Sequence, residues 1–159
     1  MNFLVIIPAR GGSKRIPRKN VRLICGKPLI SYSILNALKS EYCLDVVVST
    51  DDEEIKRLCL SYGADIVERP IELATDEVTL DPVIYHAVTE VEERNKKRYD
   101  VIITIQPTSP LLTTSTLDNA LEYFLSHDFD TLISVINRPH LSWTEANGKY
   151  VPRYKERLN

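Results

Sequence analysis

The sequence predicts an α/β protein with a doubly wound, mainly parallel sheet and helices on both faces. Short apolar runs with strand character alternate with segments of helical periodicity, and no internal repeat or low-complexity run interrupts this order. The connections between successive strands are long enough to hold a crossover helix. At 159 residues, the chain is large enough to bury a sizeable core.

The first strand and the first helix follow from apolar patterns. Residues 3–7 are an uninterrupted apolar run, which is typical of a strand that is buried on both faces. In the segment 29–38 the spacing predicts a helix that has four apolar residues roughly on one face, namely Ile30, Ile34, Ala37 and Leu38.

The middle of the chain repeats this alternation. Residues 45–49 predict a strand, and Asp51 or Asp52 is expected to cap a helix that runs to about Tyr62 and ends at Gly63. A short strand follows, at residues 65–67. Helical spacing then predicts a long helix over 80–94 with five apolar positions, Val83, Ile84, Ala87, Val88 and Val91.

The last part of the chain predicts a strand at 101–105, a helix at about 115–126 and a strand at 131–136. From residue 139 the pattern is lost, and the segment is expected to form a hairpin or an arm. We therefore predict a nucleotide-binding α/β domain over 1–138, and the start of a dimerisation or substrate arm over 139–159.

The charge distribution indicates a local anion site. The net charge is only −2, yet residues 1–40 carry +8 and the remainder carries −10. A nucleic-acid-binding protein is more often basic throughout, so nucleic acid is not the expected partner. No segment has the length of a membrane span or of a signal-peptide core. Because the three cysteines are odd in number and lack metal-ligand spacing, a cytoplasmic location is expected.

The loop at residues 8–20 is the candidate for that anion site. It holds the adjacent Gly11 and Gly12, and five cations lie between Arg10 and Asn20. It follows a strand, where open α/β sheets bind ligands. Its spacing matches neither the P-loop nor Gly-x-Gly-x-x-Gly, so the glycines are expected to permit a tight turn with φ > 0 whose N–H groups converge on phosphate oxygens. The alternative is a solvated basic loop with an ordinary glycine turn.

Four segments of the chain form a recognisable set in this order: Ile7-Pro8-Ala9-Arg10-Gly11-Gly12-Ser13-Lys14 with Lys19-Asn20, Ser49-Thr50-Asp51, Arg69-Pro70 with Leu73-Ala74-Thr75-Asp76, and Gln106-Pro107-Thr108-Ser109-Pro110-Leu111. Together these segments resemble the N-acylneuraminate (CMP-sialic acid) cytidylyltransferases. The related cytidylyltransferases for 3-deoxy-manno-octulosonate share a Pro-Ala-Arg opening and are the weaker match.

The resemblance implies a Rossmann-like nucleotidyltransferase fold and a reaction in which a nonulosonic acid attacks the α-phosphate of CTP, giving a CMP-sugar and pyrophosphate. Arg10 and Lys19 are implied as catalytic residues at the triphosphate, and Arg69 is expected to read the cytosine or its ribose. The other implied nucleotide-binding residues are Ala9, Gly11, Gly12, Ser13 and Asn20. The implied sugar-binding residues are Gln106, Thr108 and Ser109.

Two of these assignments have a structural alternative. Arg69 precedes Pro70 and is also compatible with a surface turn. The segment 106–110 is also compatible with a helix-entry loop, because Thr113 to Thr116 supply good helix caps.

The resemblance further implies Mg²⁺ and a homodimer in the full-length form. Family members are longer and carry an Asp-x-Asp-like magnesium pair near their end, whereas no Asp follows Asp130 here, so no metal ligand is identified. The chain is therefore expected to be the N-terminal portion of a cytidylyltransferase. The alternative is a CTP-binding or regulatory module without catalysis.

Overall fold

The computed structural model describes residues 1–42, 44–135 and 143–152, and the chain divides into two units, residues 1–128 and 129–159. In the first unit, short 3-10 turns at Lys19–Val21 and Ile71–Leu73 accompany the regular elements. Those elements are β1 (Phe3–Pro8), β2 (Leu23–Ile24), β3 (Lys27–Pro28), α1 (Leu29–Leu38), β4 (Asp45–Thr50), α2 (Glu53–Ser61), β5 (Asp65–Glu68), α3 (Leu80–Asn95), β6 (Val101–Thr104) and α4 (Thr114–Leu125).

A four-stranded parallel sheet with the order β5-β4-β1-β6 forms the centre of the first unit. The register sets Pro8 of β1 opposite Ser49 of β4, and Ile6 of β1 opposite Thr104 of β6. The chain moves outwards from β1 to β5 and then returns across the sheet to β6. The carboxyl ends of all four strands therefore lie at one edge, and the direction of winding reverses next to β1.

Helices cover both faces of the sheet, as predicted. Helices α1, α2 and α4 pack on one face with residues such as Val5, Ile7 and Val48, while α3 packs on the other with Leu4 and Ile6. This division follows from the topology, because right-handed crossovers change face when the direction of winding reverses. The predicted apolar face of α1 is correct except for Leu38, which is 42% exposed.

Two details of the fold differ from the expectation. The β2–β3 hairpin was not predicted; its two-residue turn holds Cys25 and Gly26 with φ of 48° and 81°, and Cys-Gly is a weak turn signal because Cys rarely adopts positive φ. The predicted strand at 131–136 is wrong for residues 131–135, which are exposed and not in a strand. Local β propensity is insufficient there, since no strand pairs with them among the residues that the structure describes. Residue 136 lies outside these.

The second unit contains an antiparallel hairpin of β7 (Trp143–Ala146) and β8 (Lys149–Pro152). Its turn residues Asn147 and Gly148 have φ of 53° and 70°, as the type I′ turn of an Asn-Gly hairpin requires. The hairpin agrees with the loss of α/β periodicity in this region. Residues 139–142 and 153–159 of the predicted arm lie outside the described residues, and the role of the arm in dimerisation stays a prediction. Among the described helices, none has the length and apolar character needed to cross a membrane.

We predict that Ser33→Ala does not destabilise the protein. The Ser33 hydroxyl on α1 is buried and has no hydrogen-bond partner within the described chain, and an unsatisfied buried hydroxyl costs about 1–3 kcal/mol. Chemical denaturation is expected to show an unchanged or higher free energy of unfolding. The matched control is Ser31→Ala, because Ser31 Oγ donates to the Pro28 carbonyl at 2.7 Å in the same buried helix. Equal losses of stability in the two variants would contradict the prediction.

Candidate functional site

A cavity of about 730 Å³ lies at the carboxyl edge of the sheet, within the first unit. Three segments enclose it: the loop after β1, the segment from the end of β5 to the first turns of α3, and the loop after β6. It therefore lies at the point where the winding direction of the sheet reverses, which is the usual ligand position in such folds. Its wall is formed by Pro8, Arg10, Ser13, Lys14, Arg15, Ile16, Lys19, Asn20, Arg69, Leu73, Thr75, Asp76, Val78, Thr79, Leu80, Val83, Gln106, Pro107 and Thr108.

Most of the residues singled out in the sequence lie in this wall. They come from three separate segments and are Arg10, Ser13, Lys19, Asn20, Arg69, Gln106 and Thr108. Gly12 lines a smaller adjoining cavity of about 480 Å³. The structure does not place Ala9, Gly11 or Ser109 in the wall of either cavity. Ala9 is buried, and its N–H donates to the Ser49 carbonyl at 2.9 Å.

The larger cavity is strongly cationic. Five basic side chains line it against a single carboxylate, that of Asp76; the basic residues are Arg10, Lys14, Arg15, Lys19 and Arg69. Lys19 is half-buried, and its ammonium has no ion-pair or hydrogen-bond partner in the described part of the chain. A low-dielectric wall with several unneutralised cations attracts a polyanion.

Asp76 partly neutralises the cations of the loop after β1. Its carboxylate forms ion pairs with both Lys14 and Arg10, and these two hydrogen bonds hold the pKa of Asp76 below its ordinary value. Arg10 also donates through Nη1 to the carbonyl of Thr75 at 2.8 Å and to that of Ala74 at 3.3 Å. Arg10 thus ties the loop after β1 to the segment before α3.

Asn20 and Arg69 occupy buried positions in the wall. Asn20 is 4% exposed, and its side-chain amide donates to the Arg10 carbonyl at 3.1 Å, which fixes the far end of the loop against its beginning. Arg69 is 8% exposed, so the surface-turn interpretation does not apply to its side chain. Burial lowers the pKa of Arg69, and Arg10 adds to this effect while Asp51 opposes it.

Gly11 serves a different purpose from the one expected of it. Neither Gly11 nor Gly12 has positive φ. The N–H of Gly11 donates to Asp51 Oδ1 at 3.0 Å, so in this arrangement it is already engaged. A Cβ at Gly11 would lie 2.6 Å from Asp52 Oδ2, whereas one at Gly12 would meet no atom within 4 Å. Close approach to Asp52, the cap residue of α2, and not left-handed backbone, is therefore what requires glycine at position 11.

Asp52 combines helix capping with an ion pair. Its Oδ1 accepts from the N–H groups of Glu54 and Ile55, both at 3.0 Å, which confirms the expected cap of α2. Its carboxylate also pairs with Arg18 from the loop after β1. The pKa of Asp52 lies below its ordinary value, mainly because of the Arg18 guanidinium. The two backbone N–H donors lower this pKa further, whereas burial raises it.

The loop after β6 leads into α4, as one of the two interpretations expected, and two of its residues also line the cavity. Gln106 and Thr108 face the cavity, while Ser109 takes part in the turn that leads into α4, with its N–H donating to the Gln106 carbonyl at 3.1 Å. Thr113 caps α4, since its hydroxyl accepts from the Thr116 N–H at 3.2 Å.

Sequence reasoning assigned no role to several residues of the wall, of which Lys14, Thr75 and Asp76 make the most direct contacts. All three lie inside segments that carried the resemblance. Their pairing was not visible in the sequence, because 62 positions separate Lys14 from Asp76.

The expected Mg²⁺ has no clustered set of three or more ligand side chains in the described residues. No group of three or more His, Cys, Asp or Glu side chains converges within residues 1–42, 44–135 and 143–152. The carboxylates nearest the cavity are engaged otherwise: Asp76 with two cations, Asp51 with the Gly11 N–H, and Asp52 with Arg18 and the cap of α2.

An open parallel α/β sheet with a cationic crevice at its switch point defines a protein of the doubly wound α/β class whose crevice suits an anionic ligand. A family model described as Cytidylyltransferase matches residues 4–154. The chain therefore belongs to the cytidylyltransferase family, which confirms the resemblance seen in the four segments.

Individual relatives agree with this assignment. Pseudaminic acid cytidylyltransferase from Campylobacter jejuni is 45% identical over 128 residues, covering 80% of this chain and 55% of the relative. N-acylneuraminate cytidylyltransferase A from Danio rerio is 38% identical over 142 residues, covering 89% and 32%. A solved structure of CMP:2-keto-3-deoxy-manno-octonic acid synthetase complexed with CTP matches with a TM-score of 0.64 and 26% identity, covering 79% of this chain and 48% of that one. The chain thus spans about half the length, or less, of these three proteins.

We predict that Gly11→Ala destabilises the protein and Gly12→Ala does not. The new Cβ at position 11 would overlap Asp52, which cannot retreat without leaving the cap of α2, and overpacking of this kind costs about 1–3 kcal/mol. Thermal unfolding followed by circular dichroism is the measurement. Gly12→Ala is the matched control, since open space surrounds that position. Equal melting temperatures for both variants would refute the assignment.

We predict that the stabilising effect of the Asp52 charge is lost in acid. Because the native pKa of Asp52 is depressed, the contribution is complete above the unfolded-state value of about 3.9 and disappears as the pH falls through the lower native value. Asp52→Asn keeps a capping oxygen but loses the ion pair with Arg18, so it is expected to be less stable than the unsubstituted protein by about 1 kcal/mol near pH 6.

The measurement is urea denaturation of both proteins between pH 7 and pH 2.5. The difference in the free energy of unfolding is expected to be constant down to about pH 5 and to shrink below about pH 4. A difference that persists unchanged at pH 2.5 would mean that packing, and not charge, accounts for the effect.

Proposed function

We propose that this chain carries the CTP site of an enzyme that activates a nonulosonic, sialic-type acid to its CMP derivative with release of pyrophosphate. The observation that carries the proposal is the cationic cavity at the switch point of the sheet, lined by five basic residues and one acid. Its volume falls within the range of about 300–1,000 Å³ that is typical of small-molecule sites.

The proposed reaction is a transfer that depends on positioning and charge. The anomeric hydroxyl oxygen of the sugar attacks the α-phosphorus of CTP, the bond from that phosphorus to the bridging oxygen breaks, pyrophosphate leaves and the hydroxyl proton is lost. Arg10 and Lys19 are proposed to bind the triphosphate and stabilise the negative charge that develops on the leaving group.

The remaining wall residues are proposed to hold the two substrates. Ser13 and Asn20 lie in the loop after β1, which is proposed to bind the triphosphate and is called the triphosphate loop below. Arg69 is proposed to donate to the cytosine. Gln106 and Thr108 are proposed to donate to the acceptor sugar. The positions of these side chains on three different segments of one cavity support the division. Ser109 is proposed to act through the loop, because its N–H stabilises the turn after Gln106.

The choice of sugar class rests on relatives. The nonulosonic class is supported by the 45% and 38% identities to the pseudaminic acid and N-acylneuraminate cytidylyltransferases. The synthetase for 2-keto-3-deoxy-manno-octonic acid is 26% identical and supports an eight-carbon sugar less strongly. By the family resemblance we further propose Mg²⁺ as the metal, a homodimer as the assembly and the cytoplasm as the location. The proposal assigns no Mg²⁺ ligand to the described residues.

A second candidate function is CTP binding without turnover. The observation in its favour is that the described carboxylates near the cavity are all engaged with cations or backbone donors. The two candidates share the CTP site and differ in whether pyrophosphate is released.

We predict that Lys19→Ala weakens CTP binding by about 10- to 100-fold without lowering the melting temperature. A charge-assisted hydrogen bond is worth about 1.5–3 kcal/mol, and Lys19 has no partner to lose in the described residues. Isothermal titration calorimetry of the 159-residue chain with CTP is the measurement. Lys27→Ala is the matched control, because Lys27 is exposed on β3 and outside the cavity. CTP affinity unchanged in Lys19→Ala would contradict the proposed site.

A pyrophosphate-release assay with CTP, Mg²⁺ and a panel of nonulosonic acids, run on a version extended past Asn159, separates the two candidates. Sugar-dependent release that Arg10→Ala and Lys19→Ala abolish supports the transferase. CTP binding without pyrophosphate release in the presence of any of these sugars supports the second candidate.

A further inference from the structure

The side chain of Arg69 is held by a single residue of the neighbouring strand. Its Nε donates to Ser49 Oγ at 3.1 Å, and its Nη2 donates to the Ser49 carbonyl at 2.8 Å. Nη1 has no acceptor within the described residues, and Nη2 keeps a second N–H, so the edge formed by these two nitrogens is left for a ligand. The backbone is tied to the same strand, because the Arg69 N–H donates to the Thr50 carbonyl at 2.8 Å.

Ser49 holds the Arg69 guanidinium from a fixed position in the sheet. It is fully buried in β4, opposite Pro8 of β1 and Val67 of β5. The same carbonyl that accepts from Arg69 also accepts from the Ala9 N–H, immediately before the triphosphate loop. Ser49 therefore sets the position of Arg69 relative to Arg10 and the loop that follows it.

A fixed guanidinium discriminates between pyrimidines in a way that a mobile one does not. Cytosine offers two adjacent acceptors, O2 and N3, whereas N3 of uracil carries a proton and is a donor. A guanidinium that is free to rotate can donate to O2 alone, which both bases share. A guanidinium that is held in one orientation has to contact N3 of the base as well as O2. With uracil, a guanidinium N–H then faces the N3–H donor, and a buried donor without an acceptor costs binding free energy.

We propose that Ser49 is a positioning residue that holds Arg69 in the direction required to prefer cytosine over uracil. The inference rests on the proposed CTP site and adds a determinant of base selectivity to it. Ser49 acts through Arg69, since it is absent from the cavity wall while Arg69 is part of it.

The test is the ratio of the dissociation constants for UTP and CTP, measured by calorimetry on the 159-residue chain. Ser49→Ala removes the acceptor of Nε and leaves the carbonyl bond, so the ratio is expected to fall by about tenfold. Ser33→Ala is the matched control, because it removes another buried serine hydroxyl that lies outside the cavity. Ser49→Thr retains the hydroxyl and is expected to keep the ratio, whatever its extra methyl does to the melting temperature.

A double-mutant comparison separates positioning from general damage. In the Arg69→Ala background, Ser49→Ala is expected to have no further effect on the ratio, because the group that it positions is gone. If Ser49→Ala does not fold, Ser49→Cys provides the same reading, since its sulfur is only a weak acceptor.

The outcomes distinguish the inference from the function on which it rests. A wild-type chain that shows no CTP binding overturns the proposed function. Selective CTP binding that Arg69→Ala abolishes and Ser49→Ala or Ser49→Cys preserves overturns the role of Ser49. Loss of the ratio in Ser33→Ala as well would show a nonspecific effect of buried-hydroxyl removal and would also overturn it.

Discussion

The candidate site depends on the contact between the carboxyl end of β4 and the loop that leaves β1. The parallel register sets Pro8 beside Ser49, so the two strands end together. Ala9 then donates to the Ser49 carbonyl and Gly11 to the Asp51 carboxylate, while Gly11 leaves no room for a side chain against Asp52. These contacts fix where the loop starts and in which direction it leaves. The positions of its cations are therefore set by β4 as much as by the loop itself.

Charge is balanced unequally among those cations. Arg10 and Lys14 share the carboxylate of Asp76, whereas Lys19 lies in the same wall without a partner in the described residues. A phosphate that binds Arg10 has to compete with Asp76, but one that binds Lys19 displaces no internal anion. Since Arg10 also holds the Thr75 carbonyl, an anion at Arg10 acts on the segment before α3 as well. For a triphosphate bound as proposed, Lys19 adds affinity without displacing an internal anion, and Arg10 connects the bound anion to the segment before α3.

How much of the fold and of the candidate site could be predicted depends on how far apart in the sequence the interacting residues lie. The buried strand Phe3–Pro8 and the cap at Asp52 follow from patterns within a few residues, and the sequence reasoning found both. The role of Gly11 was misjudged, because its constraint comes from Asp52, 41 positions away, and not from its own φ. The strand expected at 131–136 failed for a related reason: a strand is stabilised by its neighbours, and apolar alternation alone supplies none.

The strand order explains why three distant segments meet at one cavity. Arg69 follows β5 and Gln106 lies just beyond β6, and β1 with the loop that follows it lies between these two strands. For a nucleotide bound as proposed, the base lies on the β5 side and the acceptor on the β6 side, so the reacting phosphorus lies above β1, next to the cations. A substitution in one segment changes a side chain but leaves the spatial order of base, phosphate and acceptor across the sheet unchanged. For the proposed function, the topology thus accounts for the order of base, phosphate and acceptor, and the individual side chains account for the choice of base and sugar.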